Sequence, residues 1–301
     1  MNARASKLLL NVALAGTLSL VATTGSAETV ERRGPADPRG EVEIVNVAGS
    51  VRVSGWNRPE VEVRAELDSD DERLEFTTQG ARTTIRVVLP RNRSNGGDSD
   101  LVVRIPEAST LRVNTVSADQ EVDGIRGAQW LTAVSGTIHS EASGDDLQVK
   151  TISGDILVTG TGAQPAAYTV TTVSGDITLA KIGGEIEVET VSGDLTVEAN
   201  ELSRARLRTT NGDMGVVTKL PSTARLDIET INGDVSLKIL GTVDAAFDIH
   251  TFNGDIKSCY GDERVRSRER GPGHDLNFTR GEGSARVRVK TLNGDVDLCG
   301  R

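Results

Sequence analysis

Along residues 111–299 apolar and polar residues alternate in short runs that break at a recurring phrase. Around Gly233, Leu226 and Ile228 come before the phrase, and Val235 and Leu237 after it, each pair spaced by two. The stretch around Gly254 has Phe247, Ile249 and Ile256, with a polar Ser258 in the last position. Spacing by two places side chains on one face of a strand. Ile231 and Phe252 fall out of this spacing and are read as inward residues, so the phase is expected to slip between Thr230 and Ile231, at a corner. Each unit then reads as strand, bend, strand and return.

The phrase, Thr-apolar-Ser/Asn-Gly-Asp, recurs with its glycine at Gly136, Gly154, Gly175, Gly193, Gly212, Gly233, Gly254 and Gly294. Residues 115–119 and 46–50 are degenerate copies. The gaps are 18, 21, 18, 19, 21, 21 and 40, so the last is about twice the period. A fixed period of about 20 residues marks a repeat architecture. One unit buries too few side chains to offset the entropy of ordering its backbone, so units must stack. The Asn-Gly pairs could instead turn antiparallel hairpins, and two units approach the length of a propeller blade. Because neighbouring units keep the same inward positions, the pattern predicts an all-β chain, a parallel β-solenoid of about ten coils of about 20 residues, with N-terminal strands as its cap.

Composition agrees with thin layers. Only 8 of 301 residues are aromatic, so β-branched side chains must fill the core. The first 27 residues have a secretory layout: Arg4 and Lys7, an apolar run from Leu8 to Val21, then Gly25-Ser26-Ala27 as a cleavage site. Cleavage would leave 32 Lys and Arg against 44 Asp and Glu, a net charge of −12. That balance argues against a nucleic-acid partner, which needs a basic face. No later segment reads as a transmembrane span. The expected organisation is a signal peptide over 1–27, an N-terminal β segment and cap over 28–110, and regular repeats over 111–301 with a charged insertion at 261–284.

In a stack each repeated residue becomes a column with steps of about 4.8 Å. The threonines ending at Thr230, Thr251 and Thr291 are expected to be buried, and the glycines to need positive φ. The aspartates following the glycines are the feature nearest to chemistry. Asp213, Asp234 and Asp255 are weak Ca²⁺ candidates, because stacked carboxylates repel and a hard cation relieves that. The alternative is that each aspartate bonds turn backbone and lies in water. Cys259 and Cys299 share one offset from their glycines. If 261–284 loops out, their strands are neighbours and their Cα atoms fall within disulfide range. The insertion itself, with its charge run 262–270, reads as a solvated loop. His139, His250 and His274 sit at unrelated offsets, with no nucleophile in phase, so no catalytic residue and no cofactor is assigned.

The run of Thr-[Val/Ile/Leu]-[Ser/Asn]-Gly-Asp units, the entry segment 42–56 and the segment 100–106 leading to 111–113 together resemble the bacterial putative-adhesin family of β-strand-repeat proteins, also called toast-rack domains. The resemblance covers roughly residues 40–299 and implies an exported β-solenoid of the cell envelope, with no catalytic residues to carry over. The charged insertion and the cysteine pair depart from the family pattern. The expected function is a non-enzymatic, adhesin-like binding or structural surface in the periplasm or outside the cell, with an envelope protein or glycan as partner. The alternatives are a β-helical polysaccharide-processing enzyme and an envelope scaffold that stacks through its open ends.

Overall fold

The computed structural model describes residues 28–69, 71–90, 97–162, 166–260, 266–267 and 272–299, so the signal-peptide reading and most of the charge run lie outside the described residues. Among these residues there are strands and no helix. The first seven strands are β1 (Glu28–Pro35), β2 (Glu41–Trp56), β3 (Glu60–Leu67), β4 (Arg73–Gln79), β5 (Arg82–Val88), β6 (Ser99–Pro106) and β7 (Thr110–Asp123). The regular middle holds β8 (Gln129–Thr132), β9 (Ile138–Ala142), β10 (Leu147–Lys150), β11 (Ile156–Gly160), β12 (Ala166–Thr171), β13 (Ile177–Glu189), β14 (Leu195–Arg208), β15 (Met214–Thr218), β16 (Arg225–Glu229) and β17 (Val235–Ile239). The last six are β18 (Ala245–Asn253), β19 (Ile256–Lys257), β20 (Arg266–Ser267), β21 (His274–Arg280), β22 (Ala285–Asn293) and β23 (Val296–Asp297).

From β7 to β17 every pairing is parallel, strand before the bend on strand before the bend, strand after on strand after, and the register is continuous except between β13 and β14, where it shifts around Ala180–Glu185. The hairpin and propeller alternatives, which need antiparallel neighbours, are thereby excluded. At the bends a column of single bridges links Ser117, Ser135, Ser153, Ser174, Ser192, Asn211, Asn232 and Asn293. The core between the two strand faces is built from Val, Ile and Leu, with Leu226, Ile228, Val235 and Leu237 all buried. The threonine column is buried with them, as its phase predicts.

Both ends depart from the sequential order. At the N-terminal end β2 is not the outermost layer: β7 pairs with one edge, and β5 and β6 pair with the other. Antiparallel strands then close that end, β4 on β5, β3 on β6 and β1 on β3. At the C-terminal end β18 does not lie on β16. The last long strand, β22, is inserted between them, parallel to both, and β23 lies between β17 and β19 in the same way. The chain skips one layer, turns at the outside, and returns to fill the gap. This corrects the expectation that successive units lie on one another throughout.

Charge accounts for the insertion. If β18 lay directly on β16, Asp227 would face Asp248. With β22 between them, Arg288 separates these two aspartates and Lys290 separates Glu229 from His250. A like-charge contact costs about 1 kcal/mol in water, and opposite-charge cross-strand pairs contribute roughly 0.2–1 kcal/mol each. Against these gains Arg286 lies on Arg225, which direct stacking would set against Ala246; two opposite-charge contacts at Arg288 and one at Lys290 outweigh it and favour this strand in the gap.

The insertion at 261–284 is also not a plain solvated loop. Its second half forms β21, which pairs antiparallel with β18 and covers that end of the stack. Phe278 on β21 stacks on Phe247, with ring centroids 4.4 Å apart, and Tyr260 stacks on Phe247 at 5.5 Å. Half of the chain's scarce phenylalanines thus seal the exposed end of the layered core.

Candidate interaction surface

The strands before the bend carry three outward columns of mostly charged residues and a fourth, apolar one. On β13 these are Glu185, Glu187 and Glu189; on β14, Arg204, Arg206 and Arg208; on β16, Arg225, Asp227 and Glu229; on β22, Arg286, Arg288 and Lys290. Acidic and basic residues thus alternate along two of these columns, whereas in the first Arg204, Arg225 and Arg286 lie on one another. Their contacts are loose: Glu185 to Arg204 is 3.9 Å, Glu187 to Arg206 3.6 Å, Glu189 to Arg208 3.8 Å, Arg208 to Glu229 3.3 Å and Arg288 to Asp248 3.6 Å. These side chains are about half exposed, so each pair adds little stability; the set fixes which layer lies on which.

The fourth column corrects the phase assigned from sequence. Ile231 is outward, 46% exposed, and Phe252 is 40% exposed. With Val116, Val134, Ile152, Val173, Val191 and Leu292 they form an exposed apolar row, interrupted at Thr210. Alternation simply continues through the buried threonine: Leu226, Ile228 and Thr230 point in, while Asp227, Glu229 and Ile231 point out. The reversal comes later, within the Asn-Gly-Asp bend. Beside the row runs an open groove of about 650 Å³, lined by Thr172, Thr190, Thr209, Thr230 and Thr291 between Val173, Val191, Ile231 and Leu292 on one side and Glu189, Arg208, Glu229 and Lys290 on the other. The signal was in the sequence, since strict period two from Leu226 already makes Ile231 an outward residue.

The bend is held together layer by layer. Each glycine has positive φ, +155° at Gly233, and a Cβ there would lie 2.0 Å from the carbonyl oxygen of Gly212. Glycine is thus needed for close approach as well as for conformation. Asn232 donates its amide to Asn211 Oδ1 at 2.8 Å, Asn293 to Asn232 at 2.7 Å and Asn253 to Asn293 at 2.8 Å.

The aspartates hold the adjacent layer's backbone rather than their own turn. The backbone N–H of Asp234 donates to Asp213 Oδ1 at 2.8 Å, that of Asp295 to Asp234 Oδ1 at 2.7 Å, and that of Asp255 to Asp295 Oδ1 at 2.8 Å. Of the three Ca²⁺ candidates, Asp213 and Asp234 are neighbours, but Asp295 stands between Asp234 and Asp255. One oxygen of Asp213 and of Asp234 is committed to the backbone. Among the described residues no group of three or more His, Cys, Asp or Glu is arranged to hold a metal ion.

Cys259 and Cys299 form a disulfide with a Cα–Cα distance of 5.3 Å. It joins the segments after β19 and β23, which are neighbours as expected, although β23 lies on the inner side of β19. The histidines are not gathered into a site. His139 is on β9; His250 lies between Asp248 and Asp275, 2.6 Å from each; His274 Nδ1 meets the Gly254 carbonyl at 2.7 Å. The last two tie β21 to the stack. Burial and the neighbouring Glu121 and Glu141 raise the carboxyl pKa of Asp123, while His139 works against this shift.

The class these features define is a parallel β-stack of solenoid type with a patterned outer face. The chain belongs to the Toastrack DUF4097 family, whose model matches residues 42–299. No curated protein matches it. Two solved structures are similar at 9% identity: a "putative cell adhesion protein" from Clostridium sporogenes, with 90% of this chain and 98% of that chain covered and a TM-score of 0.24, and a "putative adhesin" from Bacteroides fragilis, with 91% and 98% covered and a TM-score of 0.43. Among the described residues no helix is long and apolar enough to cross a membrane.

Proposed function

We propose that the chain is an exported, non-enzymatic cell-envelope protein in which about ten coils over 111–301, capped by 28–110, present an adhesin-like association surface. The observation that carries this reading is the exposed apolar row from Val116 to Phe252, running beside alternating charged layers. Soluble proteins rarely expose so long an apolar row unless it makes contacts. The partner class is an envelope protein or glycan. Family membership and the disulfide support an envelope location, since disulfides persist in oxidising compartments.

The test is binding of the purified protein to envelope extracts and to a glycan array, compared with Val191→Ser, Ile231→Ser and Leu292→Ser. Loss of binding in these variants, with unchanged melting temperature, is the expected result. Unchanged binding in all three would overturn the reading. Export is checked by N-terminal sequencing of the envelope form, which should begin at Glu28. On this reading the aspartate column is structural, and millimolar Ca²⁺ leaves the melting temperature unchanged; a rise would give the column a metal-binding role.

A further inference from the structure

We propose that the outward face running from β10 to β21 is the contact surface of an antiparallel homodimer, so that one partner of the association surface is a second copy of this chain. This rests on the reading of that face as an association surface and goes further in naming the occupant. Charge order carries the assignment. Read along the axis, the layers are β10, β12, the second half of β13, the second half of β14, β16, β22, β18 and β21. A two-fold axis parallel to the strands, passing between β14 and β16, lays β14 over β16 of the second copy, β13 over β22, β12 over β18 and β10 over β21.

In that arrangement each column faces itself with the layer order reversed. Glu185, Glu187 and Glu189 meet Arg286, Arg288 and Lys290 of the second copy. Arg206 meets Asp227, Arg208 meets Glu229, and Lys150 meets Asp275. The one like-charge contact is Arg204 with Arg225. Shifting the axis by one layer brings Lys150 onto Lys290 in one direction, and Glu189 onto Asp275 and Arg225 onto Arg286 in the other. Packing two copies in parallel places every acidic layer on its own copy. Among these strand residues the unshifted register has the largest excess of opposite-charge contacts, six against one like pair in each half of the isologous interface, compared with three against one for the first shift and three against two for the second.

The apolar column completes the match, since Val191 meets Leu292, Thr210 meets Ile231 and Val173 meets Phe252 of the second copy. Eight layers span about 38 Å and the strand face about 17–20 Å, which gives about 700 Å² per partner, close to the ~800 Å² of standard-size interfaces. The intramolecular ion pairs at 3.6–3.9 Å leave guanidinium donors available for a second carboxylate.

Sedimentation velocity tests the proposal. The purified protein should be a dimer at low ionic strength and dissociate at least about tenfold more readily at about 0.5 M salt. Glu187→Arg and Arg288→Glu should each be monomeric, because each sets like charges against each other twice across the two-fold. An equimolar mixture of the two should dimerise again, because the arginine introduced in one chain then faces the native Arg288 of neither copy but the glutamate introduced in the other. If a reversal unfolds the chain, Glu187→Gln and Arg288→Gln should each weaken the dimer without restoring it on mixing. A monomer at both salt concentrations, dimers unaffected by either reversal, or a mixture that stays monomeric would each overturn the proposal. A monomeric protein whose partner binding is still lost on Ile231→Ser refutes the dimer and leaves the association surface standing; binding indifferent to Ile231→Ser refutes the surface itself.

Discussion

The middle of this molecule and its two ends are made from the same strands and obey different rules of order. Between β7 and β17 each layer follows the previous one, and every bend repeats the same backbone contacts. At either end the chain leaves a layer open, passes beyond it and comes back: β2 is enclosed by later strands, and β22 fills a gap already bounded by β16 and β18. The repeat phrase determines how a layer sits, while the outward charges bias which layer sits next. An open stack also has two unpaired edges, and both ends meet that problem with antiparallel strands drawn from segments outside the repeat.

The middle should be least tolerant at its glycines. Gly233→Ala would force a Cβ to within 2.0 Å of a carbonyl oxygen at a φ of +155°, and a loss of roughly 3–6 kcal/mol is expected by chemical denaturation. Gly241, with φ +84° and nothing within 4 Å of a Cβ, separates conformation from packing, and Gly241→Ala should cost only about 1 kcal/mol. Equal costs at the two positions would remove the close-approach argument.

At the C-terminal end the disulfide closes a loop with a sequence separation of 40, so Cys259→Ser with Cys299→Ser should cost about 2–4 kcal/mol. Hydrogen exchange should show that loss first in β18, β22 and β23, with β8 to β15 still protected. Uniform loss of protection would mean that the ends and the middle open together. Asn293→Ala, which breaks the amide ladder where the inserted strand joins it, should cost about 1 kcal/mol in the same assay.

The smallest effect is pH-dependent. Asp244 accepts bonds from the Ser284 side chain and the Gly283 backbone N–H, which lower its pKa below the ordinary 3.8. A carboxyl with a lowered folded-state pKa adds stability that is present above the unfolded value and lost as pH falls through the folded one. Melting temperature should therefore decline below pH 3.8 slightly less steeply in Asp244→Asn than in the native chain, measured by circular dichroism.

Much of the middle was legible because it is written several times. Period-two spacing, the glycine column and the buried threonines each follow from one unit and are checked by the next. The ends were not legible by the same means. Gly254 and Gly294 carry the same phrase as Gly233, and nothing in that phrase says that the later copy lies closer. The information was instead in Asp227, Arg288 and Asp248, whose charges disfavour one order and favour another, and it can be used only after the strands are known to be parallel. Ile231 is legible yet easily misread: an apolar residue in a repeat invites an inward reading, whereas its phase places it outside. The cysteine pair was recoverable because equal offsets survive a change of layer order.

Crosslinking in the outward column tests the inserted order most directly. In a background with Cys259 and Cys299 changed to serine, which leaves every charged layer intact, Ile231→Cys paired with Leu292→Cys places the two Cα atoms about 5 Å apart, whereas Ile231→Cys paired with Phe252→Cys places them about 10 Å apart. Mild oxidation should crosslink the first pair and leave the second as free thiols. Crosslinking of the second pair and not the first would mean that β18 lies directly on β16, and that charge does not set the order of the layers at the C-terminal end.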